Sequence, residues 1–104
     1  MKEEEFRASR LLKELGVPTR YQIVKLLERS PLTVSQIAAE LNLAVPAVSH
    51  HLHILRAIDV VRYDRNGRNA VYRLKAALVP GVLAIAERCA ARLEFKERSR
   101  FFNR

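Results

Sequence analysis

The sequence predicts a mainly α-helical fold with one small β-hairpin, and three observations carry the prediction. Apolar residues recur at three- and four-residue spacings over most of the chain, the period of amphipathic helices. After Asp59 that period gives way to alternation on both sides of Asn66-Gly67, the strongest short-range hairpin signal. Helical patterns on either side of Asn42 are separated by only about three residues, room for a turn and nothing more.

Each element follows from its local chemistry. A first helix runs from Glu3 to Leu15, with Ala8, Leu11, Leu12 and Leu15 on one stripe. Three glutamates occupy its first turn, where the helix dipole favours them, and Gly16 ends it. Pro18 and Thr19 open a second helix to Arg29, directing Ile23, Val24 and Leu27 inward, and Ser30-Pro31 breaks it. Thr33 and Gln36 have capping-box spacing and start a third helix that carries Ile37, Ala38 and Leu41. Asn42 is expected to close it in the left-handed conformation.

The fourth helix begins near Val45, with Pro46 in the first turn, where a missing N–H costs nothing. Val48, Leu52 and Leu55 face the core and His51 lies on their side. Pro46, Ala47, Ser49, His50 and His53 are left pointing outward. Two helices joined by so short a turn, the second exposing its N-terminal half, form a helix-turn-helix. In the hairpin that follows, a type I′ turn at Asn66-Gly67 pairs Arg65 with Arg68, Tyr63 with Ala70 and Val61 with Tyr72. The last two pairs share an apolar face; Arg62 and Arg73 fall on the polar one, where Asp64 is the one acidic interruption.

A final helix is expected from Val79 to Leu93 or Phe95, with Pro80 in its first turn. Val82, Ala86, Cys89 and Leu93 form one apolar seam, with Leu78 and Ile85 beside it. The basic tail from Lys96 onward, with its paired Phe101 and Phe102, is expected to dock rather than fray. The whole of residues 1–104 thus reads as one winged helix-turn-helix domain. Its helix-turn-helix lies at 33–57, its wing at 60–74 and its C-terminal helix at 79–95. The first and last helices carry more apolar surface than a small core needs, and a homodimer would bury both.

Composition narrows the function classes. Hydrophobic residues at 49% and charged residues at 29% suit a folded chain and exclude disorder. The opening Met-Lys-Glu-Glu-Glu has no apolar stretch, so no signal peptide is expected, and no apolar run approaches a membrane span. One cysteine makes no internal disulfide, and a cytoplasmic location is expected. The net charge of +8 favours a polyanionic partner. Residues 1–43 are nearly balanced at +1, residues 44–74 are +3 and residues 75–104 are +4, so the excess lies in the reading segment and beyond it.

Over residues 10–75 the chain resembles the ArsR/SmtB family of bacterial winged-helix repressors. The resemblance rests on Pro18-Thr19-Arg20, Leu26-Leu27, Ile37-Ala38, Val48-Ser49, His51-Leu52, Leu55-Arg56 and Arg65-x-Gly67-Arg68 ending in Tyr72-x-Leu74, in that order and spacing. It implies a homodimer built on the first and last helices, which binds an imperfect inverted repeat in double-stranded DNA and is released by an inducer. Two departures stand out. Val45 and Pro46 are apolar where the family often has polar residues, and Ala57-Ile58-Asp59 replaces its usual Gly-Leu.

The candidate DNA-binding residues are Ala47, Ser49, His50 and His53 on the fourth helix and Arg62, Arg65 and Arg68 on the wing. Serine and histidine reach base edges or phosphates, alanine meets a thymine methyl, and arginines meet phosphates or the minor groove. No metal is expected: only His50 and His53 share an exposed face, and zinc wants about four ligands. The family's paired-cysteine motif is replaced by Ser30-Pro31-Leu32-Thr33-Val34, and the last helix has no histidine. Cys89 is the sensing candidate, weighed against packing as a small hydrophobe. No cofactor is implied. An enzyme is disfavoured, since no phosphate loop or nucleophile–base pair is present. A winged-helix protein-interaction module and a nonspecific DNA-binding protein remain the alternatives.

Overall fold

The computed structural model describes residues 1–97. It comprises α1 (Glu3–Leu15), α2 (Pro18–Arg29), β1 (Leu32–Thr33), α3 (Val34–Leu41), α4 (Val45–Ala57), β2 (Val61–Asn66), β3 (Asn69–Leu74) and α5 (Val79–Ala90). The bounds of α1 and α2 are those the periodicity gives. The core gathers Ile23, Val24, Ile37, Val48, Leu52, Leu55, Val60 and Val61, so α2, α3, α4 and the base of β2 meet at one centre. Ile23, Val24 and Leu27 of α2 are all buried, as their spacing requires.

The capping chemistry is in place. Thr33 Oγ1 accepts from the Gln36 backbone N–H at 3.2 Å, while Gln36 Oε1 accepts from the Thr33 N–H at 2.8 Å, satisfying two otherwise orphaned donors. Asn42 ends α3 at φ 54°, ψ 50°, and the following Leu43 N–H reaches back to the Ala38 carbonyl at 2.9 Å. That left-handed stop turns the chain within three residues into α4.

The sheet departs from the expected pair of strands. Leu32 and Thr33 add a third, β1, opposite Tyr72 and Val71, so the order is β1-β3-β2 with all neighbours antiparallel. Two residues between a broken helix and a cap carry no alternation of their own, which is why the strand leaves no trace in the pattern. Register also differs. The two-residue loop is Gly67-Arg68 and not Asn66-Gly67, with Asn66 opposite Asn69, Arg65 opposite Ala70, Tyr63 opposite Tyr72 and Val61 opposite Leu74. Positive φ falls on Gly67 alone of the hairpin, the glycine-first arrangement of a type II′ turn. A slide of two residues keeps every side chain on its face. It brings two tyrosine rings into contact at 5.3 Å, where the expected register sets Tyr63 against alanine.

The link from α4 to the wing is fixed by Asp59, which takes φ 65°. Its N–H donates to the Arg56 carbonyl at 2.9 Å and the Val60 N–H to the Leu55 carbonyl at 3.0 Å, so a helix stop usually built on glycine is made by aspartate. Lys75 Nζ holds the Asp59 carboxylate by both oxygens, at 2.7 and 2.9 Å.

The last helix is shorter than expected, ending at Ala90 and giving way to turn by Leu93. Within the chain it packs through Val79 and Leu83, both buried, and not through the predicted seam. Ala86, Cys89 and Leu93 are exposed, and Leu78 is 84% exposed. Glu87 fastens the inner side, accepting from the Tyr21 hydroxyl and, at 3.2 Å, from Lys25 Nζ. The expected docking of the tail at Phe101 and Phe102 lies outside the described residues. Among the described residues no helix is long and apolar enough to cross a membrane.

Candidate nucleic-acid interface

Helix α4 divides cleanly into two faces. Val48, Leu52 and Leu55 are completely buried, while Val45, Pro46, Ala47, Ser49, His50 and His53 are exposed. A periodic apolar stripe on one side leaves the other to solvent, so the exposed N-terminal half follows directly from the sequence. Pro46 in the first turn fits there without breaking a hydrogen bond.

Beneath α4 lies a polar cluster that the sequence reading missed. Arg20, 7% exposed, donates from Nε to the Glu14 carbonyl at 2.8 Å and from Nη2 to Glu14 Oε1 at 2.9 Å. Its Nη1 lies 3.2 Å from His51 Nδ1. A buried guanidinium is tolerated only when its charge and donors are met, and here α1 and α4 both supply acceptors. The His51 pKa is pushed below its ordinary value, first by burial, then by the charge of Arg20 and then by His50. His51 is therefore part of the support under α4, as its side of the helix implies. Arg20 stands in the Pro18-Thr19-Arg20 run, but only the fold reveals that it spans three helices.

The wing places its cations on two sides. Val61, Tyr63 and Arg65 share the inner face with Ala70, Tyr72 and Leu74; Arg62, Asp64 and Arg73 share the outer. Arg62 and Arg73 stand directly opposite one another, and Asp64 Oδ2 accepts from Arg73 Nε at 2.8 Å. Asp64 thus pairs with a neighbouring arginine of its own face. Arg65 lies at the tip and Arg68 in the turn itself, both exposed. Arg65 Nη1 donates to the Arg68 carbonyl at 3.4 Å, and its guanidinium carbon lies 5.7 Å from the Tyr63 ring centroid. Arg56, at the end of α4, sits 4.6 Å from the same ring.

The candidate residues are therefore brought to two neighbouring elements. Ala47, Ser49, His50 and His53 share the open face of α4, and Arg62, Arg65 and Arg68 lie on the hairpin that follows it. Cys89 is apart from both, exposed on α5.

Known proteins share this arrangement. Residues 17–63, from the start of α2 into β2, match the family described as bacterial regulatory protein, arsR family. The transcriptional repressor SdpR of Bacillus subtilis is 33% identical over 69 residues, covering 66% of this chain and 77% of SdpR. The HTH-type transcriptional repressor SmtB of Mycobacterium tuberculosis is 42% identical over 67 residues, covering 64% of this chain but only 50% of SmtB. Among solved structures, HlyU from Vibrio cholerae superimposes with a TM-score of 0.77 at 26% identity, over 88% of this chain and 100% of HlyU. With its helix-turn-helix, wing and aligned sequence taken together, the chain belongs to the arsR family of bacterial regulatory proteins.

Proposed function

We propose that this chain is a sequence-specific DNA-binding transcriptional regulator that acts as a repressor, binding an inverted-repeat operator as a homodimer. The observation that carries the reading is the open N-terminal face of α4 beside a wing whose tip presents Arg65 and Arg68. A helix of that exposure suits a major groove, and arginines on the flanking hairpin suit phosphates or the minor groove. Ala47, Ser49, His50 and His53 take base or phosphate contacts, and Arg62, Arg65 and Arg68 take the backbone. With Val45 and Pro46 apolar, few bases are read directly and phosphate contacts supply most of the affinity.

The apolar residues left exposed on α1 and α5, among them Phe6, Leu12 and Ile85, support a dimer built on those helices. Exposed Cys89 on α5 is the candidate for thiol-based release. The named relatives are transcriptional repressors, and no catalytic role is proposed for this chain.

Selection of duplexes from a random pool, followed by titration against mixed-sequence competitor, tests the reading. A palindromic consensus bound several kcal/mol more tightly than random DNA is expected. Equal affinity for both would make the chain a nonspecific binder, and no affinity for either would favour a protein-interaction module. Comparing operator affinity of wild type and Cys89→Ser with and without oxidant tests release; identical behaviour of the two ends the thiol role.

A further inference from the structure

Residue type and position assign Tyr63 only to the apolar face of the wing, yet three side chains converge on its ring. Arg56 approaches from the last turn of α4 at 4.6 Å, Arg65 from two residues along the same strand at 5.7 Å, and Tyr72 from the opposite strand at 5.3 Å. Both guanidinium distances fall within the reach of cation–π attraction. Arg65 has a second restraint, the 3.4 Å bond to the Arg68 carbonyl across the turn. An exposed arginine ordinarily samples many rotamers, and ordering it on a ligand carries an entropic cost. Here one face of the guanidinium is steered by the ring and one donor by the turn, while among the described residues its remaining donors stay open.

We propose that Tyr63 is a positioning residue for DNA binding: its ring ties the wing to the end of α4 through Arg56 and holds Arg65 ready for a backbone phosphate. The inference rests on the DNA-binding reading above. Tyr63 itself needs no contact with DNA. Its effect is exerted through Arg65, whose charge it neither adds to nor removes.

That separation gives a sharp test. Binding of wild type, Tyr63→Leu, Tyr63→Phe, Arg65→Ala and the Tyr63→Leu/Arg65→Ala double variant to a labelled mixed-sequence duplex is titrated between about 50 and 200 mM salt. Tyr63→Leu removes no charge, yet is expected to lower the slope of log affinity against log salt by roughly one, the value of one lost phosphate contact. Tyr63→Phe, which keeps the ring, restores the wild-type slope. The double variant behaves as Arg65→Ala alone. In the free proteins, the side-chain N–H resonances of Arg56 and Arg65 carry ring-current shifts that vanish in Tyr63→Leu and persist in Tyr63→Phe. If Tyr63→Leu does not fold, Tyr63→Ile, whose β-branched side chain suits a strand, takes its place. An unmoved slope in the ringless variant overturns the inference whatever its affinity, as does a lowered slope that Tyr63→Phe fails to restore. A wild-type chain with no salt-dependent affinity for the duplex overturns the DNA-binding reading itself, and this inference with it.

Discussion

The Nη1 of Arg20 donates to Nδ1 of His51 over 3.2 Å, joining the first turn of α2 to the underside of α4. Arginine has no acceptor, so Nδ1 must accept and the neutral ring carries its proton on Nε2. Protonation would turn that acceptor into a donor facing a permanent cation.

The consequence is acid sensitivity. The His51 pKa is lowered from its ordinary value near 6.5, so the unfolded chain binds the proton more readily than the folded one. The contribution of His51 to stability is therefore present above about 6.5 and is lost as pH falls through its folded pKa. His51→Gln, which can accept from Arg20 without titrating, should show a shallower fall in melting temperature between neutral and mildly acidic pH than wild type. Parallel curves for the two proteins would remove His51 from the account.

The capping box at Thr33 has a measurable weight. Thr33→Ala leaves the Gln36 N–H without its side-chain acceptor and should cost about 0.5–2 kcal/mol, read as a lower urea midpoint at unchanged m-value. A midpoint equal to wild type would mean that solvent replaces the cap without loss.

Asp59 tests the helix-to-wing link. Asp59→Val places a β-branched residue at φ 65° and should lose on the order of 1–2 kcal/mol, whereas Asp59→Gly removes the conformational penalty along with the exposed Lys75 pair. Chemical denaturation should rank valine well below glycine. The reverse order would show that the left-handed backbone at this corner does not set the cost of substitution.

Tyr21 reports on the attachment of α5. Burial first, and then the hydrogen bond and charge of Glu87, raise its pKa from 10.0 to about 12. A raised pKa means that its contribution is complete below about 10 and is lost as pH rises through about 12. Phenolate absorbance of wild type minus Tyr21→Phe should show one tyrosine titrating late. A difference spectrum that develops near 10 would place the hydroxyl in ordinary solvent.

On DNA, the two groups of candidate residues should fail differently. His50→Ala should weaken binding to a selected operator by about 1–3 kcal/mol and relax preference at one base position. Arg68→Ala should weaken all duplexes alike and reduce the salt slope by roughly one. Competition assays with matched and mixed duplexes separate the two patterns, and a uniform loss in both variants would demote His50 to a phosphate contact.

What the sequence made legible was whatever depends on near neighbours. The Thr33–Gln36 cap, the left-handed Asn42, the inward Val48-Leu52-Leu55 stripe and the outward Ser49 and His50 each follow from spacing within a turn or two. The hairpin was legible in existence and facing but not in register. Asn66-Gly67 and Gly67-Arg68 are both usable turns, and the choice is coupled to the Tyr63–Tyr72 pairing across the sheet. Long-range partnerships left no such trace. Arg20 meets His51 from thirty-one positions away, and Tyr21 meets Glu87 from sixty-six. The apolar seam through Cys89 illustrates the same limit, since helical period identifies an apolar face but not which body covers it.

The two-residue strand β1 has a further effect on how the molecule behaves in company. By pairing with Tyr72 and Val71 it interrupts the outer side of β3, so that the sheet ends in two edges, neither a good template for another chain. One edge is too short to nucleate pairing; the other, β2, presents Arg62, Asp64 and Arg65 along its length. Brevity on one side and charge on the other are the usual protections against edge-to-edge association. A hairpin that projects its tip outward can thus remain open for a ligand without recruiting a neighbouring sheet.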